Sequence, residues 1–203
     1  MGVVVAIAIS ADVTFAEYVS KKLDQILKNV DDYEIVSVND KHLIVEQYAL
    51  KRGRRFTAKT VSGRVSARQA LAGVTYAVAF WSGSDLHEFI FVAAQKKLPL
   101  KISPIQITSV VNKDSGQPFD IYIGRGSPLG NPFPIEHGTD KDRAHVIEKY
   151  REYFHSQIVT NPEMSKYLES LRGLKLGCHC KPAACHGDII AEYLNNSQSL
   201  MED

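Results

Sequence analysis

The chain has 203 residues, 44% of them hydrophobic and 23% charged, with a formal net charge of +1. These proportions exclude collagen-like, coiled-coil and fully disordered chains, and the length allows one large domain or two small ones. No apolar run approaches the roughly 20 residues that a membrane-spanning helix needs, so no membrane partner is expected.

The first half alternates strand and helix signals. Residues 3–9 are a continuous apolar run, as in a strand buried on both faces. This start lacks a basic n-region and reads as a first strand, not a signal peptide. Thr14-x-x-Glu17 is a capping box that opens a helix to about Asn29, with Val19, Leu23, Ile26, Leu27 and Val30 on one face. A strand at 34–38 and a helix at 42–52 closed by Gly53 follow. A strand at 56–61, a helix at 64–72, a strand at 75–81, a helix capped by Asp85 and a strand at 99–102 complete the set. Strands separated by helices predict a Rossmann-like open parallel sheet over residues 1–103.

The second half, residues 104–203, reads as a second small α/β domain. Strand-like segments at 105–111 and 119–123 flank a turn at Lys113-Asp114-Ser115-Gly116. A loop rich in Gly and Pro follows at 124–134. A helix capped by Thr139 runs to about Ile158, and Asn161-Pro162-Glu163 opens another that ends near Gly173. A strand at 174–180 and a helix from His186 to Leu194 close the domain.

Charge is unevenly placed. Residues 1–103 carry 14 Lys and Arg against 10 Asp and Glu, and residues 104–203 carry 10 against 13. No acid lies between Glu46 and Asp85, an interval that holds Lys51, Arg52, Arg54, Arg55, Lys59, Arg64 and Arg68. Such a run suits an anionic partner, a phosphate-bearing small molecule or nucleic acid, or else a solvated basic face. Arg64 and Arg68 are the candidates for anion binding.

In doubly wound sheets, ligands sit beyond the carboxyl ends of the strands. Ser10 and Ser84 would donate to a phosphate there, and Trp81 would stack on a base. Against this, Ser84 or Asp85 can simply cap its helix and Trp81 can fill core.

The strings Val36-Ser37-Val38, Val45-Glu46-Gln47-Tyr48-Ala49, Ala79-Phe80-Trp81-Ser82-Gly83 and 96–101 (KKLPLK) resemble the SLOG superfamily, in its YspA/YpsA-related branch. The resemblance covers about residues 2–103. It implies a Rossmann-like fold that binds nucleotides or nucleotide-derived ligands. Some members of that superfamily cleave the N-glycosidic bond of nucleoside monophosphates, and others bind single-stranded DNA. The glycine turns of the family are degenerate: Ile9-Ser10-Ala11, Val38-Asn39-Asp40-Lys41-His42 and Asp85-Leu86-His87 stand in their places. Glycine lets backbone approach phosphate closely, so its loss reshapes the site. Glu88 is a candidate glycosidic acid or base, though an acid in the first turn of a helix commonly serves electrostatics alone.

Two further clusters lie in the second half. Gly124, Arg125, Gly126, Ser127 and Asn131 belong to a glycine-rich loop after a strand, suited to an anion nest with a guanidinium fork. The loop has no Lys-Ser/Thr pair and is not a Walker P-loop. The three cysteines, Cys178, Cys180 and Cys185, fall within one segment, which favours a metal, redox or ligand site over a disulfide framework and suits a cytoplasmic setting. With His186 they would satisfy tetrahedral zinc. The adjacent pair Cys185-His186 is awkward for a metal cage, so zinc is allowed but a metal-free pocket is preferred, with buried structural cysteines as the third reading. The strings 124–133 (GRGSPLGNPF), 148–151 (EKYR) and 177–188 (GCHCKPAACHGD) resemble an uncharacterised domain family of phages and bacteria, over about residues 105–195. That resemblance implies a phage-encoded accessory protein acting in the host cytoplasm.

The expectation is an accessory protein that recognises a nucleotide or nucleotide-derived ligand. If it is an enzyme, N-glycosidic or phosphoribosyl chemistry is expected, with His186 or Asp188 handling the proton. The alternative is a non-catalytic effector that binds nucleic acid or a host protein. His42, His87, His137, His145 and His155 are scattered and read as surface residues.

Overall fold

The computed structural model describes residues 2–83, 85–135 and 140–196. The chain forms two compact units, Met1–Ile105 and Gln106–Asp203.

Unit 1 is an open α/β sheet. In chain order it contains β1 (Val3–Ile9), α1 (Ala16–Leu27), β2 (Tyr33–Val38), α2 (Ile44–Lys51) and β3 (Phe56–Lys59). Then come α3 (Arg64–Ala70), β4 (Tyr76–Trp81), α4 (His87–Gln95) and β5 (Leu100–Pro104). The strand order is β3-β2-β1-β4-β5, and every pairing is parallel. The apolar run of β1 explains its central place: Val5 to Ile9 are buried on both faces. Edge strand β3 is short and largely exposed, and ends on Lys59.

Two helix starts differ from the sequence reading. Helix α1 begins after Phe15, with no side-chain cap, instead of at a Thr14 capping box. Helix α4 begins after Leu86, which sits in the left-handed region at φ 64°. Asp85 does not cap it, because its carboxylate is bound to the end of β1. Helix α2, by contrast, has a strong anchor. The Asp40 carboxylate accepts the backbone N–H groups of Ile44, Val45 and Glu46 at 2.8, 2.8 and 3.1 Å.

Unit 2 holds β6 (Ser109–Asn112), β7 (Ile121–Tyr122), α5 (Asp140–Tyr153), a π-helical turn (Phe154–Ile158), α6 (Pro162–Ser170), β8 (Lys175–Cys178) and α7 (His186–Asn196). Its sheet has the order β6-β8-β7, again parallel. Parallel pairing sends the ends of β7 and β8 to the same edge. The core joins Ile123, Leu129, Tyr150, Phe154, Leu176, Ile189 and Ile190. The helix expected to run unbroken to Ile158 changes to π geometry at Phe154, where Val159 N–H reaches back to the Phe154 carbonyl at 2.9 Å. Both Phe154 and Ile158 are buried by that arrangement. Asn161 caps α6 as expected, accepting from Glu163 and Met164. Thr139 lies outside the described residues. Among the described residues, no helix is long and apolar enough to cross a membrane.

Candidate functional site

The carboxyl ends of β1 and β4 are where a doubly wound sheet takes a ligand. In unit 1 that position is occupied by the chain's own groups. Ser10 is buried; its hydroxyl donates to Asp85 Oδ1 and accepts the Ser82 N–H at 3.1 Å. Asp85 Oδ2 accepts the Ala11 N–H at 3.0 Å. At the end of β2, Asn39 is locked to both backbone groups of Val61, at 2.7 and 3.1 Å. Asp40 fills the N-terminus of α2, so one carboxylate stands at the end of β1 and another at the start of α2. Trp81 packs against the core, and its buried indole N–H has no partner among the described residues. Ser84 and His137 lie outside the described residues.

The basic interval is largely neutralised by acids from elsewhere in the unit. Arg52 binds Asp24, Arg54 binds Asp32 at 3.4 Å, and Arg55 binds Glu34. Arg64 meets Glu88 at 3.2 Å and lies over the Phe91 ring. Glu88 therefore serves an ion pair, and Arg68 stands exposed on α3. The charge asymmetry seen along the chain is not an equal asymmetry in space.

Unit 2 has a cavity of about 360 Å³ at the shared edge of β7 and β8. It is lined by the glycine loop through Gly124, Arg125 and Asn131, and by the cysteine segment through Cys178, Cys180, Cys185 and His186. The two sequence clusters are thus brought together. Loop geometry explains the glycines. A Cβ on Gly130 would come within 2.6 Å of the Gly124 carbonyl oxygen, so only glycine lets the loop close on itself. Gly126 adopts φ +87°, a left-handed conformation that suits glycine, and does not line the cavity. Asn131 accepts the Phe133 N–H at 2.9 Å and shapes the loop exit. Ser127 does not line the cavity, and its buried hydroxyl has no partner among the described residues.

Cys178 Sγ lies 3.7 Å from Cys180 Sγ, and the three sulfurs lie within 4.8 Å of one another. His186 Nδ1 is 3.7 Å from Cys185 Sγ and 3.9 Å from Cys178 Sγ. His186 Nε2 donates to the Ile123 carbonyl at 2.8 Å, which leaves Nδ1 to face the sulfurs. A hydrogen bond from Cys185 pulls the Cys178 thiol well below its usual range, helped by His186 and by the Cys180 backbone N–H. The same bond and burial push Cys185 upward, and burial does so for Cys180. Cys178 is thus the more acidic thiol of the pair and the helix-start Cys185 the less acidic. Such a trio of soft donors within metal-binding distance can hold a metal ion.

Asp188 does not line the cavity. Its Oδ2 accepts the Cys185 N–H at 2.9 Å and its Oδ1 meets Lys181 at 2.5 Å. This is the return half of a capping box. Two polar cavity residues carry no role in the sequence reading. Arg143 reaches the cavity from α5, with Val146 and Ile147 beside it; its spacing to Val146, Ile147 and Tyr150 is the signal that marks it. His179 also lines the cavity and binds Asp114 at 2.6 Å, which holds Asp114 below the usual carboxylate range. A histidine oriented by a carboxylate is the pattern of a proton-transfer group, and His179 fits it better than His186.

The family model described as the minimal SLOG domain matches residues 4–111. The chain belongs to the minimal SLOG family. This minimal SLOG chain continues into a second match, to the family described as a domain of unknown function (DUF4326), over residues 108–196. It is 40% identical over 90 residues to the uncharacterized 12.4 kDa protein of the nrdA-td intergenic region of Enterobacteria phage T4. That alignment covers 44% of the minimal SLOG chain and 80% of the phage protein. No solved structure matches the chain.

Proposed function

We propose that this minimal SLOG protein is a phage-type accessory protein that recognises a nucleotide or nucleotide-derived ligand, and that the ligand sits in the cavity of unit 2. The observation that carries this reading is the convergence of Arg125 and Arg143 on one cavity of about 360 Å³. That volume lies in the range of small-molecule sites, which run from about 300 to 1,000 Å³. Tyr122 and Phe133 supply aromatic surface to the same cavity, and Asn131 an amide. A guanidinium fork and an aromatic wall together suit a phosphate with an attached base. The SLOG match lies over residues 4–111, so the ligand class of the unit 2 cavity rests on its lining, and likeness to a phage protein supports the setting. Zinc is the metal we assign to the three thiols on the cavity floor, as the borderline-soft ion that thiolate sites commonly take.

The reading with nucleic acid as partner gains no support from unit 1, where Arg52, Arg54, Arg55 and Arg64 are engaged by acids. Thermal unfolding of the full chain against a panel of nucleosides, nucleoside monophosphates and nucleoside diphosphates tests the proposal. A saturable stabilisation by phosphorylated members, lost in Arg125→Ala, is expected. Stabilisation that survives Arg125→Ala, or none from any member, overturns it. Steeply salt-dependent binding of single-stranded DNA or RNA would move the assignment to the alternative.

A further inference from the structure

The thiol cluster raises a question that the assignment of zinc leaves open: whether the ion is open to the cavity, as a Lewis acid, or closed. We propose that His186 Nδ1 is its fourth ligand, so that Cys178, Cys180, Cys185 and His186 form a closed Cys3His site that holds the cavity floor in place. The proposal rests on the zinc reading above.

Distances carry the argument. A tetrahedral ion with Zn–S near 2.3 Å and Zn–N near 2.0 Å has S···S edges of about 3.8 Å and S···N edges of about 3.5 Å. Three of the six edges are close to these values: Cys178 to Cys180 is 3.7 Å, and His186 Nδ1 lies 3.7 Å from Cys185 and 3.9 Å from Cys178. Cys185 lies within 4.8 Å of both other sulfurs, and Cys180 has to close on the ring when the ion binds. The adjacency of Cys185 and His186 is therefore no obstacle. At the N-terminus of α7 the backbone turns both side chains inward, and both are buried. The support behind the histidine is also of the right kind. A ligating histidine ordinarily donates its other ring N–H to a carbonyl or carboxylate, which fixes tautomer and ring plane. His186 Nε2 does this to Ile123 O, and the Tyr150 ring stands edge-on to it at a centroid distance of 4.9 Å.

The consequence is structural. The ion would tie the end of β8, the segment after it and the first turn of α7 into one unit. That unit lies beside Ile123, where the glycine loop begins. Three thiolates and a neutral imidazole around a divalent ion leave one negative charge. Arg143, which lines the same cavity as the three cysteines, offsets it. Arg125, farther along the glycine loop, meets the ligand's anion together with Arg143. The cavity ligand meets the outside of the metal site and never binds the ion.

Elemental analysis and Co2+ exchange on the full chain test this. About one zinc per chain is expected from protein purified without added metal. The Co2+ form should show the intense visible bands of a tetrahedral thiolate site, and added imidazole or cyanide should leave them unchanged. His186→Ala should weaken metal affinity by at least about tenfold, and His186→Cys should keep one ion and intensify the sulfur-to-cobalt absorption. A wild-type spectrum that shifts with added imidazole overturns the proposal, because it shows an open position. Unchanged affinity and spectrum in His186→Ala overturn it as well, and leave zinc on the three thiols standing. No metal uptake, with all three thiols open to a thiol reagent in the folded protein, removes both readings.

Discussion

His186 donates from Nε2 to the carbonyl of Ile123 at 2.8 Å, across a sequence separation of 63 residues. The bond joins the end of β7 to the start of α7. It sets the imidazole between the glycine loop on one side and the thiols on the other. The histidine that the sequence offers as a proton-transfer group thus has Nε2 engaged by a backbone carbonyl and Nδ1 facing the thiols of Cys185 and Cys178.

The capping role of Asp188 is measurable. Asp188→Ala removes the acceptor of the Cys185 N–H and should cost about 1 kcal/mol in urea unfolding. Asp188→Asn keeps an acceptor and should recover most of that loss. A catalytic carboxylate would not tolerate the amide, so ligand turnover or binding that collapses in Asp188→Asn would return Asp188 to the chemistry.

Tyr150 supports the same loop from below. Its hydroxyl donates to the Leu129 carbonyl at 2.7 Å, both groups being buried. Tyr150→Phe leaves that carbonyl bare and should cost about 1–3 kcal/mol. Burial also holds the Tyr150 phenol above its ordinary value, as it does for Tyr48. The sign follows from linkage. The folded chain keeps these protons where the unfolded chain releases them, so their contribution is intact below a pH of about 10 and is lost as pH rises further. Stability measured from pH 8 upward should fall more gently in Tyr150→Phe than in the parent.

Gly130 tests the loop separately from its charge. Gly130→Ala sets a Cβ within 2.6 Å of backbone, where no rotamer change relieves it. A loss of about 1–3 kcal/mol is expected, together with loss of ligand binding. Arg125→Ala should abolish binding with little change in the unfolding midpoint, since Arg125 is exposed. Equal stability losses in the two variants would contradict this division.

Asp85 provides the test in unit 1. It satisfies the Ser10 hydroxyl and the Ala11 N–H at the end of β1. Asp85→Ala should destabilise the unit by about 1–3 kcal/mol by leaving donors unpaired. It should also create a site for inorganic phosphate, so that phosphate recovers part of the lost stability in the variant and does nothing for the parent. Phosphate protection of the parent would show that the carboxylate does not occupy the anion position.

Periodicity and composition determined the architecture of both halves. The apolar run of β1, the strand at 76–81 and the capped helix after Asn161 are legible because period and caps are local properties of the chain. The glycine loop and the cysteine segment are likewise visible as local patterns of residue type. Tertiary structure alone decided what those residues do. Asp85 leaves its helix for the end of β1 because Ser10 and Ala11 stand 75 and 74 residues away along the chain and adjacent to it in space. Arginines that look unopposed between Glu46 and Asp85 find Asp24, Asp32, Glu34 and Glu88 once the sheet forms. Arg143 and His179 enter the cavity because parallel pairing in the order β6-β8-β7 brings the ends of β7 and β8 to one edge, beside α5. Coulombic and hydrogen-bond partners are chosen by distance in the folded chain, and a linear pattern carries no information about that distance.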